Sequence, residues 1–171
     1  MPDHFSPLSD LRILTLPGCN LQSLEQTWAM WFSKHLPNLN IQFTTDPQLE
    51  IEPSEIPTLA ILRYPLDQFV AWFDERCAAQ SALDQPKQWM NHAVSLPPTW
   101  LTFFKRWFLD QPSSACAIDY DLLYENPIQA TQRLIDFLQA QGMVSASFST
   151  QPEEGLPTPC LLYTSPSPRD A

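Results

Sequence analysis

The chain of 171 residues is short of glycine and of basic residues. It has only 3 Gly, where an average composition of about 7% would supply several times as many. Lys and Arg number 9 against 19 Asp and Glu, which gives a net charge of -10. Because nucleic acids and anionic membranes are polyanions, this balance disfavours non-specific binding to either. We therefore expect neither as a partner.

Long apolar runs and paired cysteines are also missing. No stretch approaches the roughly 18 apolar residues of a membrane span, and the N-terminus, MPDHFSPLSD, has neither the basic nor the apolar region of a secretory signal. The cysteines are scattered, with no CxxC pair and no histidine at ligand spacing, which disfavours a structural zinc site. These features predict a cytoplasmic protein without a metal.

The chain is rich in apolar and aromatic residues. The sequence is 44% hydrophobic, with 10 Phe and 6 Trp, a composition that argues against intrinsic disorder. Short apolar runs predict buried strands, and helical spacing predicts the segments between them. The predicted strands are 11–16, 40–44, 58–62 and 115–119; the predicted helices are 23–36, 66–82, 98–109 and 128–141. Strands that are apolar on both faces and alternate with helices indicate an α/β fold, a three-layer parallel sheet flanked by helices.

In such sheets, ligands bind beyond the carboxyl ends of the strands. Residues 17–22 form a strand–loop–helix turn, where backbone amides and the helix dipole can hold a phosphate. The loop PGCNLQ has no Lys or Arg, so it is equally an ordinary connection between a strand and a helix. Arg63 ends the next buried strand. It can bind a phosphate with two parallel hydrogen bonds, or it can pair with Asp67, Asp119 or Asp121.

Residues 59–73, LAILRYPLDQFVAWF, resemble the segment of the sulfotransferase family written V-x-R-x-P-x-D-x-x-V-S. In that family the Arg and the Ser bind the 3′-phosphate of the sulfate donor, 3′-phosphoadenosine 5′-phosphosulfate. Arg63, Pro65, Asp67 and Val70 match this pattern, whereas Ala71 stands at the serine position. The resemblance thus implies that Arg63 binds the donor.

Two later blocks resemble the same family. TWLTFFKRWF, residues 99–108, is similar to the helix S-W-x-x-H-x-x-x-W, with Phe103 at the histidine position. AIDYDLLYENPIQATQRLIDFL, residues 117–138, is similar to the strand–turn–helix Y-E-D-L-x-x-x-P that ends in F-L. These blocks imply a P-loop NTPase-like sulfotransferase fold.

The segment LTLPGCNLQSL aligns without a gap on the family's phosphosulfate loop, L-P-[KR]-S-G-[ST]-[ST]-W-L. The family's cation, serine and glycine positions are here Gly18, Cys19 and Asn20, so the functional side chains of the loop are replaced. By this resemblance the donor would be bound, beside Arg63, by the backbone of a segment made of Pro17, Gly18, Cys19, Asn20, Leu21 and Gln22.

The resemblance implies transfer of a sulfuryl group from this donor to a hydroxyl or amine of a small-molecule or carbohydrate acceptor. The missing loop cation and Ala71 favour an alternative, a catalytically inactive binding or scaffold protein of the same fold. No general base is identified, because His35 and His92 are expected at the surface. Lys105 and Arg106 are expected to face solvent, and Glu50, Glu52 and Glu55 to lie on a solvated loop.

The C-terminal residues 160–171, CLLYTSPSPRDA, resemble a translated sequencing adapter. Such a segment is left out of fold reasoning. We therefore expect one sulfotransferase-like domain over residues 1–159, incomplete at its C-terminus, followed by a non-native tail.

Overall fold

The computed structural model describes residues 9–77 and 85–158, which form a parallel β-sheet flanked by helices. The strands are β1 (Ser9–Thr15), β2 (Leu39–Thr45), β3 (Thr58–Leu62) and β4 (Ala115–Asp119). Their order is β2-β1-β3-β4, and every neighbouring pair is parallel. The α/β class and the parallel sheet are confirmed. Residues 160–171, which the sequence predicts to be a non-native tail, and the predicted end of the second helix at Ala82 lie outside the described residues.

Five helices are described. They are α1 (Leu21–His35), α2 (Pro65–Cys77), α3 (Gln85–Phe104), α4 (Leu122–Glu125) and α5 (Pro127–Ala140). A π-helical turn, Lys105–Leu109, continues α3, and a 3-10 turn spans Pro152–Glu154. Among the described residues, no helix is long and apolar enough to cross a membrane.

The ends of α1 and α5 show how local capping works in this chain. Asn20 is the N-cap of α1, and its Oδ1 accepts a hydrogen bond from the Ser23 amide at 3.4 Å. The helix therefore starts two residues before the predicted position. α5 starts one residue before the predicted position, with Asn126 as N-cap and Pro127 in the first turn. It ends just before Gly142, which has a φ of +70°.

The start of α3 differs most from the sequence prediction. The prediction began this helix at Pro98, but the helix starts at Gln85 and contains Pro97 and Pro98. Proline inside a helix removes a backbone hydrogen bond and is normally a breaker, so local signals pointed to a boundary here. Tertiary packing outweighs them, because His92 and Leu96 in the earlier part of α3 are buried.

Apolar side chains pack on both faces of the sheet. On β1, Leu11 and Ile13 belong to the cluster under α1 and α5, whereas Leu14 belongs to the cluster under α3. Trp28 fills the first cluster, and Trp107 fills the second. Burial on both faces explains why the strands are continuously apolar.

The chain after α5 returns to cover α1. The indole N–H of Trp28 donates to the Pro157 carbonyl at 2.9 Å, and that of Trp31 donates to the Glu154 carbonyl at 2.7 Å. Leu156 is only 3% exposed, and its amide donates to Thr131 Oγ1 at 2.8 Å. A segment that reads as plain loop in the sequence is therefore part of the core.

The strand order creates a switch point between β1 and β3. The chain moves from β1 outward to β2 and then returns to place β3 on the other side of β1. In open parallel sheets, the crevice at the carboxyl ends of two such strands is the usual place for a ligand. The loop after β1 and Arg63 after β3 both lie at this crevice.

Candidate functional site

Two strand ends meet at the candidate site. Arg63 Nη1 donates to the Gly18 carbonyl at 3.2 Å, although the two residues are 45 positions apart. The Arg63 side chain is buried, with the residue 7% exposed, and its guanidinium carbon lies 5.5 Å from the centroid of the Tyr120 ring. The structure therefore brings together the loop, the arginine and the end of β4 that the sequence predicted at separate strand ends.

Gln68 of α2 fills the inner side of the loop. The residue is fully buried, and its Nε2 donates to the Leu16 and Pro17 carbonyls at 3.3 and 3.0 Å. Its Oε1 accepts the Arg63 amide at 3.2 Å. One side-chain amide thus joins the two strand ends. Sequence reasoning missed this residue; its signal was a polar residue next to apolar ones in an amphipathic helix.

Gly18 packs too closely against α2 to carry a side chain. Its φ is +97°, and a Cβ there would lie 2.6 Å from the Gln68 carbonyl oxygen and 3.1 Å from the Trp72 amide nitrogen. This is the position at which the sulfotransferase loop carries its cation. A side chain of any kind at this position would therefore collide with α2.

A carboxylate accepts the hydrogen bond of the Gly18 amide. Glu75 Oε2 accepts a hydrogen bond from the Gly18 N–H at 3.3 Å. Burial raises the pKa of Glu75, while the Gly18 hydrogen bond and the charge of Arg63 act in the opposite direction. An anion that used this amide would have to displace Glu75 or approach a negative charge. Glu75 was not identified from the sequence.

The outer part of the loop leads into the first turn of α1. Asn20 adopts a left-handed conformation with a φ of 48°, and α1 begins at Leu21. The amides of Leu21 and Gln22 have no acceptor within the helix, because the first turn of any helix lacks a preceding carbonyl. No acidic side chain lies in that first turn, so the positive end of the helix dipole is not neutralised there.

The thiol and the phenol beside Arg63 are not activated for reaction. Cys19 is buried, and burial raises its pKa to about 12. It is therefore a protonated thiol at neutral pH and a poor nucleophile. Burial raises the pKa of Tyr120 far above its ordinary value, and its hydroxyl oxygen lies 3.3 Å from that of Tyr124. Neither group can serve as a general base near neutral pH.

Asp119 and Asp121 form a local turn after β4. The Asp121 amide donates to Asp119 Oδ1 at 2.8 Å, and Asp119 is exposed.

On α2, Asp67 and Ala71 are both buried. Ala71 stands at the position of the family's phosphate-binding serine, so a methyl group is present where the resemblance would call for a hydroxyl.

Two predictions about charged side chains are wrong. His92 is buried, with its Nε2 2.9 Å from the Phe69 carbonyl, because its ring packs between Trp72 and Phe73. Arg106 does not simply face solvent: Nη1 donates to the carbonyls of Leu49 and Ile51 at 3.1 and 2.8 Å.

The loop that Arg106 holds carries the three glutamates. Arg106 Nη2 lies 3.1 Å from Glu52 Oε1. Lys105, Glu50, Glu52 and Glu55 are exposed, and His35 is half-buried against Trp31. Within residues 9–77 and 85–158, no group of three His, Cys, Asp or Glu side chains is arranged to hold a metal ion.

A comparison with protein-family models finds none that matches the chain, and a comparison with curated proteins finds no match either. The likeness to sulfotransferases therefore depends on the motifs quoted above and on the position of their residues in the fold.

Proposed function

We propose that this protein is sulfotransferase-like and binds 3′-phosphoadenosine 5′-phosphosulfate at the crevice between β1 and β3. Support comes above all from Arg63, a buried cation at the carboxyl end of β3 that contacts the loop after β1. A guanidinium held in this way suits a phosphate, because its planar fork offers parallel hydrogen bonds. In a chain of net charge -10, such a cation is scarce.

In this proposal, different residues bind the two phosphate ends of the donor. Arg63 would hold the 3′-phosphate, and the amides of Leu21 and Gln22 at the start of α1 would face the 5′ end. In the proposed reaction the bond between sulfur and the bridging oxygen of the 5′-phosphate breaks. A bond from sulfur to the acceptor oxygen or nitrogen forms, and the proton of the acceptor passes to water. The helix amides would stabilise the charge that develops on the leaving phosphate.

The test is isothermal titration of the full chain with 3′,5′-phosphoadenosine, the desulfated donor. Arg63→Ala should weaken binding by about 1.5–3 kcal/mol, the range for a hydrogen bond to a charged group. Lys34→Ala, which removes an exposed cation on α1, should leave binding unchanged, and circular dichroism should show both variants folded. An absence of heat at about 1 mM ligand, where even a weak site is populated, would refute the donor-binding proposal.

A second candidate is a binding protein of the same fold that does not transfer sulfate. It is favoured by the Glu75 carboxylate on the Gly18 amide and by the closed position at Gly18. Both leave the site without a cation near the leaving phosphate, where sulfuryl transfer needs one.

Transfer of radiolabelled sulfate from the donor distinguishes the two candidates. Label incorporation into a panel of phenols, amines and sugars, lost in Arg63→Ala, would support the enzyme. Binding of the desulfated donor without any incorporation would support the non-catalytic protein.

A further inference from the structure

A cavity of about 340 Å³ lies between α3 and the carboxyl ends of β3 and β4. One wall consists of Trp100, Phe104 and Phe108, which share a face of the helix. The Trp100 and Phe104 rings are stacked 5.2 Å apart at 10°, and those of Phe104 and Phe108 are 5.5 Å apart at 29°. Rings that are nearly parallel at these distances stack on one another, so together they form an apolar wall on which an aromatic ligand can pack edge to face.

The other lining residues are more polar. They include Arg63, Asp119, Gln111 and Arg133. Two arginines therefore line the cavity against one aspartate. The Arg63 guanidinium donates to the Gly18 carbonyl at 3.2 Å, and Asp119 accepts a hydrogen bond from the Asp121 amide at 2.8 Å. Arg133 is exposed on α5 beside β4, so it stands at the rim. The excess of positive charge is local, because the chain as a whole is acidic.

We propose that this cavity binds a small planar aromatic anion, an aromatic carboxylate of one or two fused rings. The ring would lie against Trp100 and Phe104, and the carboxylate would pair with Arg133. The volume of about 340 Å³ is at the lower end of small-molecule sites, which combine a largely apolar lining with a few polar groups. This proposal does not depend on sulfuryl transfer or on binding of the sulfate donor.

Trp100 supplies a direct readout. Its indole N–H donates to the Arg63 carbonyl at 3.3 Å, so a ligand against its ring would change the environment of that proton. The experiment is a titration of the full ¹⁵N-labelled chain with 1-naphthoate, following the six indole N–H signals. Trp100→Phe assigns the relevant signal. 1-Naphthalenemethanol, which has the same rings without the charge, is the matched neutral ligand.

We expect 1-naphthoate to shift the Trp100 signal saturably, with a Kd of about 1 mM or lower, and to bind several-fold more tightly than the neutral ligand. Arg133→Gln should weaken 1-naphthoate about three- to fivefold, the scale of an exposed ion pair, without affecting the neutral ligand. Lys34→Gln removes a charge elsewhere on the surface and should change neither affinity. Phe104→Ala should weaken both ligands.

Three results would overturn the proposal. One is no saturable shift of the Trp100 signal at about 10 mM ligand, ten times the expected Kd. Another is equal affinity for the charged and neutral ligands in both wild type and Arg133→Gln. The third is movement of other indole signals while that of Trp100 stays fixed. Because Arg133 is exposed, its variant keeps the test valid even if Phe104→Ala fails to fold.

Discussion

At the scale of single residues, two glycines in similar backbone conformations have different surroundings. Gly18 and Gly142 both have positive φ, +97° and +70°. A Cβ at Gly18 would meet α2 at 2.6 Å, whereas nothing lies within 4 Å of one at Gly142. The first glycine is therefore needed for both conformation and close approach, and the second for conformation alone.

Alanine at each position separates these effects. Gly18→Ala should lower the free energy of unfolding by about 2–5 kcal/mol, because the left-handed backbone costs about 1–2 kcal/mol and overpacking adds about 1–3 kcal/mol. Gly142→Ala should lower it by only about 1–2 kcal/mol. Urea denaturation measures both values. Equal losses would mean that the contact between the loop and α2 does not constrain Gly18.

In the proposed donor site, Glu75 places a carboxylate on the loop amide that an anion would use. Glu75→Gln removes a negative charge from the Gly18 amide and should tighten binding of 3′,5′-phosphoadenosine about fivefold, the effect of about 1 kcal/mol of Coulomb repulsion in a well-solvated site. Asp74→Asn is the control, because Asp74 is an exposed acid next to Glu75 on α2. Equal gains in both variants would indicate a general charge effect.

The same pair of variants predicts a pH dependence. Burial raises the pKa of Glu75 above 4.5, so its carboxyl takes up a proton earlier than usual as the pH falls. Once it is neutral, the wild type no longer repels the ligand. The affinity ratio between Glu75→Gln and wild type should therefore shrink towards one as the pH drops through that pKa. Titrations from pH 8 to about pH 4, below the ordinary pKa of a glutamate, check this; a constant ratio would contradict it.

At the scale of elements, the segment after α5 stabilises α1 without regular secondary structure of its own beyond one 3-10 turn. Leu156 is its buried anchor, and two tryptophans of α1 donate to its backbone. A covering segment of this kind has its backbone polar groups satisfied by side chains.

Leu156→Ala should therefore lower the free energy of unfolding by about 2–4 kcal/mol, as for a buried leucine in a helix or strand. Leu101→Ala is the matched control, because Leu101 is 59% exposed on α3 and its removal should change stability by less than about 0.5 kcal/mol. Chemical denaturation gives both values. If the two variants unfold alike, the segment does not contribute to the core.

At the scale of the whole molecule, charge decides which partners are repelled. The net charge is -10 and the isoelectric point is about 4.5, so long-range forces oppose polyanions. Fluorescence anisotropy with duplex DNA and single-stranded RNA should show no binding at about 50 mM salt and about 10 μM protein, conditions under which a non-specific binder is detected. A salt-sensitive rise in anisotropy would contradict this expectation.

The strands and several helix ends were predictable because their signals are local. β3 and β4 have the predicted bounds, and α5 begins at Pro127, one residue before the predicted start. Apolar runs report burial, and capping residues satisfy amides one turn away, so neither requires knowledge of distant contacts. The same local reasoning failed at Pro98. Packing of the preceding turns stabilises the helix although it contains two prolines.

For the candidate site, the sequence by itself determined that Arg63 stands at a strand end and that the loop after β1 lacks a cation. Only the tertiary structure shows which residues surround that arginine and that loop. Gly18 contacts Arg63 from 45 positions away and Glu75 from 57 positions away. Gln68 joins the two strand ends from α2. Such contacts depend on how β1, β3 and α2 pack together. The number of residues between two positions in the chain does not show how close their side chains lie in the folded protein.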